Sequence, residues 1–231
     1  PDPQARALLG YLRHVGVRRL DVAVLSHRHP DHYGGLAGLV DHMPIGAVYD
    51  HGVPDAGGPW ARLAGRLAAA GAPVRRPPAG WTLGDLQVTV LADDPPPHLE
   101  ENDRSLVLRL AGPGGSVLLT GDVEGPGEAR LAGRVPPTSV LKAPHHGSKT
   151  SSGAALLAEA CPQAVVFTVG RHNRYGFPHP QVQARYAAHG VQAWRTDRDG
   201  RVRVRLALGA ATIEALRRGA QPLGPGRCGV P

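Results

Sequence analysis

The segment Ser26-His27-Arg28-His29-Pro30-Asp31-His32 places three histidines and one aspartate within six positions. It directly follows Leu20–Leu25, an almost wholly apolar run that predicts a strand buried on both faces. A strand end is a rigid support, and the loop beyond it is where α/β sheets place their sites. Imidazole nitrogens and carboxylate oxygens suit Zn²⁺, Mn²⁺ or Fe. His27 and His29 can hold one ion while Asp31 and His32 turn the other way and hold a second. A solvated histidine-rich loop is the bland alternative, because the chain has twelve histidines in all. The spacing His-x-His-x-Asp-His at a buried strand end, with Gly34-Gly35 behind it, argues against chance.

Two later strand ends carry matching chemistry. Val117–Thr120 reads as a buried strand, and Gly121-Asp122 follows at once. A lone Asp in that setting is usually a helix cap, which Glu124 can join. Beside the first motif, Asp122 becomes a candidate carboxylate bridging two metals. The third strand end leads into Lys142-Ala143-Pro144-His145-His146-Gly147-Ser148, where adjacent histidines complete the second ion's sphere and Gly147 lets the backbone approach closely.

Short elements must position these groups. Leu8, Leu9, Leu12 and Val15 repeat at helical period. Further helices are predicted over about 34–42, 60–70, 153–160 and 181–189. Strands are predicted over 45–49, 81–91, 106–110, 117–120, 139–142 and 164–169, with three closing runs whose last two span 202–207 and 211–216. Such alternation indicates an α/β layered fold with helices on the outer faces. Residues 219–231 read as a disordered tail.

Composition bounds the rest. The 231 residues suit one large domain or two small ones. No apolar run approaches the roughly 18 residues that span a bilayer. The chain opens on Pro1 without a signal-peptide pattern, as a piece of something longer would. Cys161 and Cys228 make no disulfide framework, and idle thiols are expected. The formal charge is +7, with 24 Arg and only two Lys, Lys142 and Lys149. Biased base composition explains such an excess, although arginine also favours anionic substrates through bidentate phosphate contacts.

The ordered set His27-x-His29-x-Asp31-His32, Thr120-Gly121-Asp122 and Pro144-His145-His146-Gly147-Ser148 resembles the metallo-β-lactamase superfamily. The fuller strings are similar to the C-terminal domain of ComEC-type DNA-uptake proteins. They include Leu20–Leu36, Asn102–Leu108, Leu141–Ser152 and Asn173–Pro180. The resemblance covers about residues 5–205. It implies an α/β, αββα sandwich over residues 1–218, begun after the family's first strands and their Asp-x-Gly motif. It also implies a two-metal site at one edge. The implied partners are single-stranded DNA and, in the parent protein, a membrane channel and OB-like domains, with this domain on the extracytoplasmic side of the plasma membrane. The implied activity is nucleolytic removal of the strand that is not taken up.

Departures from the superfamily refine this expectation. Its hydrolases usually carry another metal-binding histidine before the bridging Asp, where this chain offers Asn102 and Ser105, with His98 in a proline-rich loop. ComEC-type sequences share that Asn pattern. An oxygen-richer first site tilts the metal toward Mn²⁺ over Zn²⁺. Phe177 stands where many relatives have His, and His179 is its nearby substitute.

The resemblance assigns His27 and His29 to the first ion, Asp31, His32 and His146 to the second, and Asp122 to both. His146 is preferred over His145 because it directly precedes Gly147. The catalytic residues expected are Asp31, Lys142 and His145, the last protonating a leaving group or touching a phosphate oxygen. Ser148, Lys149, Asn102, Asn173, Arg174, Tyr175 and His179 are the expected substrate contacts, with Tyr175 stacking on an unpaired base. Two other functions fit the same residues. One is a hydrolase of a small ester or phosphodiester; the other is a non-catalytic metal-binding module that guides DNA.

Overall fold

A computed structural model describes residues 3–54 and 57–223. The chain divides into two compact units, one built from residues up to 77 together with 93–106, the other from 78–92 and the residues after 106.

The first unit contains α1 (Pro3–His14), β1 (Leu20–Val24), α2 (Pro30–Leu39), β2 (Ile45–Tyr49), α3 (Pro59–Ala69) and β3 (Val74–Arg75). Its strands are parallel in the order β1-β2-β3. Helix α3 turns Trp60, Leu63 and Leu67 inward at helical spacing, onto Leu25, Leu36, Leu39, Ile45 and Val48. Helix α1 crosses α2 at Gly38, where a Cβ would run into that of Ala5.

Two expectations change here. β1 was expected to be buried on both faces, yet it is an edge among the described strands and Val24 is 39% exposed. The central β2 has the continuous burial instead. Helix α2 begins at Pro30 rather than near Gly34, because proline's fixed φ and missing N–H suit the first helical position. Asp31 and His32 therefore sit in the first turn of a helix.

The second unit contains β4 (Gly80–Leu83), β5 (Leu86–Ala92), β6 (Val107–Gly112), β7 (Gly115–Leu119), α4 (Gly125–Ala129), β8 (Val140–Lys142), α5 (Ala154–Ala160), β9 (Ala164–Phe167), α6 (Pro180–Ala188), β10 (Gln192–Arg195) and α7 (Thr196–Asp199). It closes with β11 (Val202–Ala207), β12 (Ala210–Ala215) and β13 (Arg218–Leu223). A seven-stranded sheet runs β10-β9-β8-β7-β6-β5-β4, parallel from β7 to β10 and antiparallel from β4 to β7. Residues alternate across it as strand geometry requires. Leu141, Val165 and Phe167 face the core shared with Leu156, Leu157 and Tyr186 of α5 and α6. Val140, Ala164 and Trp194 face the other way, onto the antiparallel sheet β11-β12-β13. That face is thus covered by strands and the opposite one by helices, as an αββα arrangement requires.

The single strand predicted over 81–91 is a hairpin. Leu83 pairs with Leu86 across Gly84-Asp85, and Gly84 takes the positive φ of 58° that such a two-residue turn requires. β13 takes in residues 219–223 of the expected tail, and the remainder of that tail lies outside the described residues. Cys161 is disulfide-bonded rather than an idle thiol; Cys228 lies outside the described residues.

Trp194 is fully buried between the two sheets, with the Arg218 guanidinium 4.1 Å from its ring centre. Trp194→Ala is expected to cost about 3–5 kcal/mol, read as a lower urea midpoint. Leu208→Ala, at a residue 90% exposed, is expected to stay within about 0.5 kcal/mol.

Candidate metal centre

Each unit contributes a group of donors. In the first, the parallel ladder continues past β1 through the Leu25 amide to the Tyr49 carbonyl at 2.8 Å. The Leu106 amide then fastens the Ser26 carbonyl at 2.8 Å. His27 follows, completely buried. Its Nδ1 lies 3.2 Å from Ser26 Oγ and 3.3 Å from Ser105 Oγ, which turns Nε2 toward His29 Nδ1 at 3.1 Å. Ser26 Oγ also lies 3.1 Å from His32 Nδ1, and His32 Nε2 is 3.7 Å from Asp31 Oδ2. The structure thus brings His27 to His29 and His32 to Asp31, with hydroxyls orienting two of the rings from behind. Ser105, weighed above only as occupying the place of an absent histidine, supports His27 instead. Asn102 opens a 3-10 turn, Asn102–Arg104, with its Oδ1 buried.

Behind this loop lies a network that sequence reasoning missed. Arg28 sits between two of the candidate ligands but points inward. Its Nε and Nη2 donate to Asp50 Oδ2 at 2.9 and 2.7 Å, and Nη1 donates to the Val53 carbonyl at 2.6 Å. The Arg28 amide donates to Glu101 Oε1 at 2.7 Å. His51 Nδ1 accepts from the Val53 amide, so Nε2 carries the hydrogen that reaches Glu101 Oε1 at 3.0 Å. Asp50 and His51 are at most 1% exposed. Burial pushes the Glu101 carboxyl pKa up, but the bonds from His51 and the Arg28 amide, with the charge of Arg104, outweigh it and hold the value at about 2. One signal pointed here: Asp50-His51 ends β2, a second parallel strand end beside the first.

In the second unit, Thr120 Oγ1 donates to the Lys142 carbonyl at 2.9 Å and ties the end of β7 to the end of β8. Gly121, at φ 55°, turns the chain so that Asp122 is buried. Lys142 Nζ donates to the Gly121 carbonyl at 2.7 Å and to Asp122 Oδ1 at 3.1 Å. Asp122 Oδ2 lies 3.3 Å from His146 Nε2. His146 Nδ1 lies 2.7 Å from the Thr168 carbonyl oxygen, which only accepts. The ring hydrogen is therefore on Nδ1, and in the neutral ring the Nε2 lone pair faces a carboxylate oxygen. A proton on Nε2 or a bound cation would satisfy both atoms. This geometry, with the paired nitrogens of His27 and His29, fits a divalent metal held by nitrogen and oxygen donors.

His145 takes a different partner. Its Nδ1 is 2.6 Å from Glu124 Oε1, which also accepts from Thr150 Oγ1. His145, His146 and Gly147 all have positive φ, at 42°, 54° and 86°. That conformation is costly for the two histidines and typical of functional sites. Gly147 is obligatory, because a Cβ would stand 2.7 Å from Pro178 and 2.8 Å from the Phe167 ring.

The remaining expected contacts lie around this turn. Ser148 is buried, its Oγ 2.7 Å from Thr150 Oγ1, and Lys149 is exposed. Asn173 clasps its own loop, donating from Nδ2 to the Phe177 carbonyl and accepting the Phe177 amide on Oδ1, both at 2.9 Å. Tyr175 is 65% exposed, with Arg174 over its ring and Phe177 stacked against it. Phe177 also meets the edge of His145 at 5.6 Å between ring centres. His179 caps α6, accepting from the Gln181 amide.

Glu101 supplies a pH test. Its folded pKa of about 2 lies below the ordinary 4.5. Its stabilisation is therefore complete above pH 4.5 and lost as the pH falls toward 2. Glu101→Gln is expected to flatten the acid limb of a stability-versus-pH curve in that window, as followed by urea unfolding.

The profile of the Metallo-beta-lactamase superfamily matches residues 1–171. Competence protein ComA of Neisseria gonorrhoeae is 34% identical over 209 residues, covering 89% of this chain and 28% of that protein. ComE operon protein 3 of Bacillus subtilis (strain 168) is 31% identical over 207 residues, covering 87% and 26%. The chain thus spans about a quarter of the length of these curated relatives. Among solved structures, Igni18, a metallo hydrolase from Ignicoccus hospitalis, aligns at TM-score 0.45 and 16% identity over 76% of this chain and 75% of that one. The superfamily profile runs through all three strand-end motifs, and the chain belongs to the metallo-β-lactamase superfamily.

Proposed function

We propose that the chain is a metal-dependent phosphodiesterase that degrades the untransported DNA strand during natural transformation. The observation that carries the reading is His146 Nε2 facing Asp122 Oδ2 at 3.3 Å while Thr168 holds the ring's hydrogen on the opposite side. Superfamily membership supports metal-dependent hydrolysis, and the competence proteins among the relatives support DNA as the substrate. No helix among the described residues is long and apolar enough to cross a membrane. Membrane attachment through a parent protein, on the extracytoplasmic side, is part of the proposal.

His27, His29, Asp31, His32, Asp122 and His146 are the proposed ligands, with Mn²⁺ or Zn²⁺ as the ions. Bound divalent metals supply a water acidified toward neutrality and neutralise charge on phosphoryl oxygens. Lys142 aims Asp122 by holding Oδ1. Glu124 fixes His145 through Nδ1, which leaves Nε2 to deliver a proton to the departing oxygen. Tyr175 and Arg174 offer a stacking face and a charge to single-stranded DNA. One observation favours the non-catalytic, DNA-guiding reading. Lys142 already places a cation on Asp122, which lets the carboxylate persist without metal.

Elemental analysis of the purified chain, with cleavage assays on single-stranded DNA, double-stranded DNA and a small phosphodiester in Mn²⁺, Zn²⁺ and Mg²⁺, separates these readings. Asp122→Ala is expected to drop cleavage to background and lower metal content while circular dichroism is unchanged. His145→Ala is expected to retain metal but lower kcat about 10²- to 10⁴-fold. Affinity for single-stranded DNA is expected to fall steeply with rising salt, and a flat response would count against a polyanionic substrate.

A further inference from the structure

We infer that Glu101 is a positioning residue for the metal-binding loop, acting through the peptide between His27 and His29 and steadied by His51. The inference rests on the metal-centre reading above and concerns the first unit alone. Two donors one residue apart converge only if the intervening backbone is fixed, because rotation about its φ and ψ swings both rings. Here the Arg28 amide is held by Glu101 Oε1 at 2.7 Å. The same oxygen receives His51 Nε2–H at 3.0 Å, and Glu101 Oε2 lies 3.5 Å from Arg104 Nη1.

The Arg28 side chain is held by Asp50 and the Val53 carbonyl, so both ends of this residue are tied down. Its guanidinium, 5.6 Å from the centre of the Trp60 ring, completes the anchorage. The peptide is clamped by a carboxylate that touches neither imidazole. Supports of this kind around metal ligands change affinity about 10- to 100-fold when removed.

The test uses Co²⁺ alone as the probe, titrated against a competing chelator, together with hydrogen exchange at the Arg28 amide. Glu101→Ala is expected to weaken Co²⁺ binding 10- to 100-fold, to alter the visible absorption bands of the bound ion, and to speed exchange at Arg28. Glu101→Gln keeps an acceptor oxygen and is expected to restore binding, spectrum and protection. Leu67→Ala weakens the same unit from its core and is expected to leave Co²⁺ affinity unchanged. Wild-type affinity in Glu101→Ala, or an equal loss in Leu67→Ala, would overturn the inference. If the wild-type chain takes up no Co²⁺, the metal-centre reading fails; unaltered Arg28 exchange in Glu101→Ala would then overturn the clamp as well.

Discussion

Donor atoms brought within hydrogen-bond distance of one another must share a proton or a cation, and the strand ends of each unit place imidazole nitrogens in that position. In the second unit the end of β8, a left-handed tripeptide and the Thr168 carbonyl leave His146 no other presentation. In the first, hydroxyls behind His27 turn its outer nitrogen toward His29. Folding energy from the apolar cores holds these groups where isolated side chains would not stay. A divalent cation bound there would meet donors that the fold has already placed.

The division between what the sequence reveals and what it conceals follows from range. The histidine loop and Asp122 are legible because their spacing is local and each follows an apolar run. The Glu101–Arg28 contact joins residues 73 positions apart, and Arg28–Asp50 joins residues 22 apart. No periodicity records such meetings. Glu101 also lies in the run Glu100-Glu101-Asn102-Asp103, which has the composition of a solvated loop. Arg28 stands between two histidines in the sequence, and nothing local shows that it folds against Asp50.

The same logic explains the errors in the fold. β4 and β5 merge in a linear reading because Leu83 and Leu86 are both apolar and the turn between them is only two residues long. β13 escapes notice because Gly219 and Pro222 depress strand propensity, yet pairing with β12 overrides that preference. His179, expected as a substrate contact, also caps α6, because the proline that follows it opens that helix.

Ser26 has one hydroxyl oxygen serving two imidazoles, at 3.2 Å from His27 and 3.1 Å from His32. If both rings present Nε2 outward, each bears its hydrogen on Nδ1, and the oxygen must receive both with its two lone pairs. One hydroxyl is then common to both rings, and its removal takes a contact from each at once, while Ser105 still reaches His27.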